Sequence, residues 1–248
     1  MCDVEVVVHG ALADFLFADS GPLRRRRVAA GTTVKDLLES LGVPHPEIDA
    51  VSCDHAFVGF DHQVRDGDRI DAYPPSFPAP GAPRHLIPPL MRPVRFVADV
   101  HLGRLARLLR LLGFDTLWAN DSADAALAEL SAQQHRVLLS RDRGLLKRRA
   151  VVFGYFVRAT ERRAQAVEVV RRFDLSSQVE LFGRCLACNG VLAAVRKADV
   201  FDELPPRTRV EFDDFRRCGT CGRVYWKGSH FEALEAAAAQ IVAAATPP

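Results

Sequence analysis

Apolar positions change their period along this chain, and each change marks an element. VEVVVHG at 4–10 is a β-branched run that predicts a strand, and Phe15 to Val28 has room for a second after a loop. VKDLLESLG turns helical: Thr33-Val34-Lys35-Asp36 resembles a capping box, and Gly42 stops the helix. HAFVGF, an Asp66-Gly67 turn and DRIDAYP restore the extended pattern. From Pro74 to Pro83 prolines are too dense for helix or sheet, which predicts a semi-rigid linker over 76–91. Beyond it, VRFVAD, FDTLWAN, HRVLLS and VVFGYFV read as strands. HLGRLARLLRLLG, SADAALAELSAQQ, DRGLLKRR and ERRAQAVEVVRRF read as the helices that alternate with them. The last helix, FEALEAAAAQIVAAA, opens at a Ser229-His230-Phe231-Glu232 capping box, and its Ala-rich end is expected to fray.

The β-β-α-β-β order over 1–75 suggests a ubiquitin-like β-grasp domain. Strands recurring with helical cover over 92–178 imply a parallel-sheet α/β/α domain. The remaining 179–248 hold a cysteine module and the final helix. Hydrophobic content of 48% and charged content of 26% are those of a soluble globular protein. No apolar run is long enough to span a membrane, and the acid-bearing N-terminus is no secretion signal, so no membrane association and a reducing, cytoplasmic setting are expected. A net charge of +2 excludes a general polyanion sponge, and what matters is where the basic residues bunch.

Two Cys-x-x-Cys pairs, Cys185/Cys188 and Cys218/Cys221, carry the sharpest chemistry. Each pair can bite one ion from a tight turn, and together they supply the four sulfurs that tetrahedral Zn²⁺ prefers in a structural zinc ribbon. Asn189-Gly190, Gly219 and Gly222 let the backbone turn so that amides face the sulfurs. Two disulfides or a redox pair are the alternatives, and a reducing compartment disfavours the disulfides. Cys2 and Cys53 read as ordinary free thiols.

In a parallel α/β sheet, function gathers at the C-terminal ends of strands. Asp99 ends VRFVAD, Asp121 and Asp124 follow FDTLWAN, and Ser140 and Asp142 follow HRVLL. Converging carboxylates need a cation, and hard oxygen donors select Mg²⁺ or Mn²⁺. Each aspartate is equally a natural helix N-cap, and Glu129 a natural solvated helix residue. On the helix after Asp99, leucines 102, 105, 109 and 112 share one face, which leaves Arg104, Arg107 and Arg110 as a solvent stripe. Arg141, Arg143, Lys147, Arg148 and Arg149 crowd the Asp142 loop, a charge pattern suited to phosphate. The run Arg24–Arg27 reads as a surface loop. In the cysteine module Arg184, Arg196, Lys197, Arg216, Arg217 and Arg223 interleave with Tyr225 and Trp226, which could stack on bases or fill the ribbon core. His230 is a loop histidine for substrate or backbone.

FVADVHLGRLARLLRLLGFD, LLSRDRGLLKRR, RCLACN and RCGTCGRVYWKGSH together resemble the Mut-seven C-terminal RNase family, over about 94–232. The resemblance implies a PIN-like nuclease domain followed by a zinc ribbon, with divalent-metal-dependent cleavage of RNA. It makes Asp99 the first-strand aspartate and Asp142 the aspartate of a Thr-Arg-Asp motif in which Ser140 replaces threonine. Asp124 or Glu129 would supply the middle acids, and Glu161 is the only nearby candidate for a fourth. Arg104, Arg107, Arg141, Arg143, Lys147, Ser140 and His230 would contact the substrate. The N-terminal segment, through GVPHPEID and VRDGDRIDAYPP, resembles the ubiquitin-like domain that precedes this nuclease in bacteria, itself similar to MoaD/ThiS sulfur carriers. Their chemistry needs a free C-terminal Gly-Gly, which this domain lacks, so docking of a protein partner or RNA contact is the expected role. A homodimer is compatible with the PIN-like fold. The competing expectation is a non-catalytic RNA-binding or adaptor protein that keeps the fold.

Overall fold

The N-terminal segment carries one more strand than its pattern predicts. The computed structural model describes residues 1–16, 23–75, 85–229 and 231–246. It begins with β1 (Cys2–Val8), β2 (Leu23–Val28), α1 (Val34–Ser40), β3 (Ala50–Cys53), β4 (Ala56–Val58) and β5 (Arg69–Tyr73). The added strand is β3, four residues buried on both faces, too short and too uniform to show a period. The strand order is β2-β1-β5-β3-β4, with β1 and β5 parallel at the centre and the other pairs antiparallel. That is a β-grasp sheet. Val34, Leu37 and Leu38 of α1 are fully buried in a core shared with Val4, Val6, Ile48 and Ile70. Thr33 caps α1, accepting from Asp36 N at 3.1 Å, and Gly42 leaves it in the left-handed region at φ +97°. Arg24–Arg27 form the outer strand β2 rather than a loop, and Arg25 bonds Glu5 on β1 at 2.9 Å. Of the expected linker, residues 76–84 lie outside those described. His85 and Leu86 are not a spacer: both bond Asp49, and Leu86 packs on the β-grasp core.

The middle of the chain alternates as expected: β6 (Phe96–Ala98), α2 (Gly103–Leu111), β7 (Thr116–Leu117), α3 (Asp124–Gln134), β8 (Val137–Ser140), α4 (Arg143–Leu146), β9 (Gly154–Phe156) and α5 (Arg162–Arg172). β6 pairs with β7, and β8 with β9, both in parallel. Parallel neighbours need a crossover, which α2 and α4 supply. The cysteine module folds as an antiparallel sheet, β10 (Leu192–Val195), β11 (Phe215–Cys218) and β12 (Val224–Trp226), with α6 (Pro206–Glu211) between the first two strands. The final helix α7 (Phe231–Ala245) holds its end: Ala238, Ile241 and Ala245 are buried, and Arg171 of α5 donates to the carbonyls of Ala244 and Ala245. Packing against a neighbour, rather than propensity, is what suppresses fraying.

By packing the chain forms two compact units, Met1–Met91 with Ala123–Phe156 and Arg92–Ser122 with Val157–Pro248. Among the described residues no helix is long and apolar enough to cross a membrane.

Candidate functional site

In the first unit the candidate chemistry sits where β8 ends. Ser140 is fully buried there, and its Oγ accepts from Asp142 N at 2.8 Å. Asp142 caps α4, with Oδ1 accepting from Gly144 N at 2.6 Å and Leu145 N at 3.3 Å. The cap reading of Asp142 is therefore correct for one oxygen, and the exposed carboxylate keeps Oδ2 outside the cap. Asp124 opens α3 on the same face as the buried Leu127, Ala128 and Ser131, and Arg148 lies 3.8 Å from it. Glu129 and Asp121 are exposed, Glu129 on the opposite side of α3. Two of the expected substrate contacts point elsewhere. Arg143 donates to Phe15 O at 2.9 Å and lies over the rings of Phe15 and Phe156; Lys147 donates to Glu39 O at 2.6 Å. Both therefore fasten the Asp142 loop to the β-grasp domain. The same seam continues along β9, where Glu47 Oε1 accepts from Phe156 N at 2.6 Å and His45 Nε2 meets Val151 O at 2.7 Å. Arg141 is exposed.

In the second unit Asp99 follows β6 and is 4% exposed. It occupies the N-cap position of a short 3-10 turn, Val100–Leu102, yet its side chain makes no capping hydrogen bond, so the cap reading fails here. Trp118 shapes this loop: its Nε1 donates to Val100 O at 3.1 Å, and its ring lies so close to Gly103 that a Cβ there would sit 2.6 Å from it. Arg104 and Arg107 are exposed on α2 as expected. Arg110 is not part of that solvent stripe. It is 2% exposed and donates to Thr116 O at 2.8 Å, Leu186 O at 3.2 Å and Ala187 O at 3.0 Å. Burial holds its guanidinium below the usual range, and the nearby Cys185 and Cys188 pull the other way. Glu161, the one candidate for a fourth acid, is exposed and caps α5 with one oxygen, Oε2 accepting from Arg163 N and Ala164 N.

The four knuckle sulfurs lie within 4.8 Å of one another and could hold one metal ion. Cys185 and Cys221 are 3.7 Å apart and Cys188 and Cys218 3.4 Å, close to the ~3.8 Å edge of a tetrahedral Zn–S₄ site. No disulfide joins them. Amides do face a sulfur, Thr220 N at 3.4 Å and Cys221 N at 3.5 Å from Cys218. Burial raises the Cys185 thiol, but bonds from Tyr225 and the Cys188 and Ala187 backbone outweigh it and bring the thiol down to about 6. Burial and the neighbouring sulfurs push Cys188 up to about 12. Thiols packed this tightly ionise together only around a cation. A Cβ on Gly190 would fall 2.7 Å from Cys218 Sγ, so this position needs glycine.

The ribbon's charges are largely paired internally. Arg184 lies 3.6 Å from Asp115, Arg196 pairs with Asp199, Lys197 with Asp213 and Arg217 with Glu203, while Arg216 donates to Phe182 O. Arg223 is exposed. Tyr225 Oη meets Cys185 Sγ at 3.0 Å, and Trp226 packs on the cluster of Val200, Leu204 and Phe215, so both serve the core. His230 lies outside the described residues.

A family model described as the Mut7-C RNAse domain matches residues 94–238, more than half of the chain. The chain belongs to this family. A second model, Mut7-C ubiquitin, matches residues 1–79 ahead of the Mut7-C domain. No curated protein matches the chain. Among solved structures it is similar to a molybdopterin converting factor subunit 1 from Pyrococcus furiosus, at 17% identity over 30% of this chain and 99% of that one, with a TM-score of 0.25. Small archaeal modifier protein 1 of H. volcanii gives 21% identity over 30% and 99%, again with a TM-score of 0.25.

Within the Mut7-C domain the residues that sequence reasoning missed are those that hold loops in place. Trp118 supports the Asp99 turn. Asn189, at φ +71°, donates to Asp115 Oδ1 at 2.8 Å and accepts from Thr116 N at 2.9 Å, tying the first knuckle to β7. A tryptophan in an otherwise polar loop was the available signal for the first; nothing in the sequence distinguishes the second from a turn residue.

Proposed function

We propose that this Mut7-C protein is a metal-dependent ribonuclease in which Asp99 and Asp142 are the principal acids, with Asp124 ahead of Glu129 as the middle one. The observation that carries this is the Mut7-C RNAse match over 94–238, within which Asp99 is a buried acid at the C-terminal end of a parallel strand. Carboxylate oxygens suit Mg²⁺ or Mn²⁺, and Asp99 and Asp142 are the acids on which this reading relies. When bound, such an ion supplies Lewis-acid activation of water and charge neutralisation at the phosphodiester. The chain's own residues do the rest. Ser140 and Gly144 fix the Asp142 loop through the backbone, Trp118 fixes the Asp99 turn, and exposed Arg104, Arg107 and Arg141 attract the phosphate chain. The four cysteines hold a structural Zn²⁺, a closed site that keeps the ribbon folded. The N-terminal domain braces the Asp142 loop through Arg143 and Lys147.

Asp99→Asn and Asp142→Asn should each lower Mn²⁺-dependent cleavage of a labelled RNA by on the order of a thousandfold, the loss of several kcal/mol of transition-state stabilisation. RNA binding, followed by fluorescence anisotropy, should persist. Wild-type protein that binds RNA but fails to cleave it whichever divalent metal is supplied would favour the adaptor reading instead.

A further inference from the structure

Cys53 reads in the sequence as an ordinary thiol, but the fold gives it two ligating neighbours. It ends β3, His62 lies in the loop after β4, and Asp68 immediately precedes β5. One ligand atom from each lies within 4.8 Å of the others. Their backbones are pinned independently. Cys53 is in register with Ala56 and Ile70, His62 O accepts from Val34 N at 2.8 Å, and Asp68 O accepts from Glu5 N at 2.9 Å. Asp68 Oδ2 also accepts from Arg65 N at 2.7 Å, which sets the plane of the carboxylate. Cys53 and Asp68 are buried and His62 is half-buried.

We propose that Cys53, His62 and Asp68 form a second metal site, in the N-terminal domain, that takes Zn²⁺ with its fourth position open to water or another ligand. The donor chemistry selects the ion. A thiolate and an imidazole are poor ligands for Mg²⁺ or Ca²⁺, whereas one sulfur, one nitrogen and one carboxylate oxygen are all accepted by zinc. Charge agrees: a thiolate and a carboxylate balance a dication, so the pair can stay buried without an excess charge. Burial and then the Asp68 charge push the Cys53 thiol up to about 11 in the absence of a cation. The three ligands come from separate segments, so an ion here would staple β3, the loop after β4 and the start of β5.

The test counts zinc on the full-length chain by native mass spectrometry after zinc loading and removal of excess. Wild type should carry one zinc more than Cys53→Ser and one more than His62→Ala. A Cys188→Ser/Cys221→Ser double variant should keep this equivalent while losing the other, which separates the site from the ribbon. Zinc should also slow alkylation of Cys53 in wild type and not in His62→Ala. His62 lies outside the core, so that variant decides the matter if Cys53→Ser does not fold. Equal zinc content in wild type and His62→Ala, with Cys53 alkylated at the same rate with and without zinc, overturns the proposal.

Discussion

Arg110 joins two parts of the second unit through three main-chain carbonyls, those of Thr116, Leu186 and Ala187. A guanidinium suits this task because its planar fork offers several donors at fixed angles, which a lysine cannot copy. Arg110→Met would keep the stem's apolar packing and leave buried acceptors without a donor. The expected cost is about 2–4 kcal/mol of unfolding free energy, read from urea denaturation, and Arg110→Lys should recover only part of it. At about 100° per residue Arg110 sits on the flank of the arginine stripe, and the sequence cannot say what packs on that flank. Asp99 and Asp142 show the same limit. Both precede a helical turn at a strand end, and only the geometry separates the one that caps from the one that does not. The left-over Cys53 was unreadable for a similar reason, because its neighbours His62 and Asp68 converge on it only through sheet pairing.

At the scale of elements, α4 is a single turn whose stability comes from outside itself, since four residues cannot sustain a helix in water. Asp142 caps its start, Arg143 reaches Phe15 O, and Lys147 reaches Glu39 O just beyond its end. Replacing both cations, Arg143→Met with Lys147→Met, should release this turn. Hydrogen exchange at Gly144 and Leu145 should speed up. If Asp142 is catalytic, kcat should fall while RNA affinity stays near wild type, the opposite of what loss of a substrate-binding pair would give. The elements themselves were legible: period, caps and glycine stops located every helix of the 92–178 segment. What period could not reveal was β3, buried on both faces, or α6, too short to show an amphipathic repeat. Around Asp142 the sequence shows charge density but not direction, so the bonds of Arg143 to Phe15 O and of Lys147 to Glu39 O could not be read from it.

The whole molecule combines two family domains, the ubiquitin-like 1–79 and the Mut7-C 94–238. Their order was readable from motifs alone, but the packing of α3 to β9 with the β-grasp domain was not. It depends on contacts between residues some hundred positions apart, such as His45 with Val151 and Glu47 with Phe156. Among the described residues β9 pairs as a strand only with β8, which makes it an edge of its sheet, and edge strands invite pairing unless they are covered. The Glu47 carboxylate occupies one backbone donor of β9, and the turn at His45–Glu47 lies alongside. The brace is therefore also a guard against self-association. A chain cut down to the Mut7-C domain should uncover β9 and form concentration-dependent oligomers in analytical ultracentrifugation. Glu47→Ala in the full chain should move partway toward that behaviour. The N-terminal domain would then be kept for a reason unrelated to sulfur chemistry or partner choice: without it, the edge of its partner sheet is adhesive.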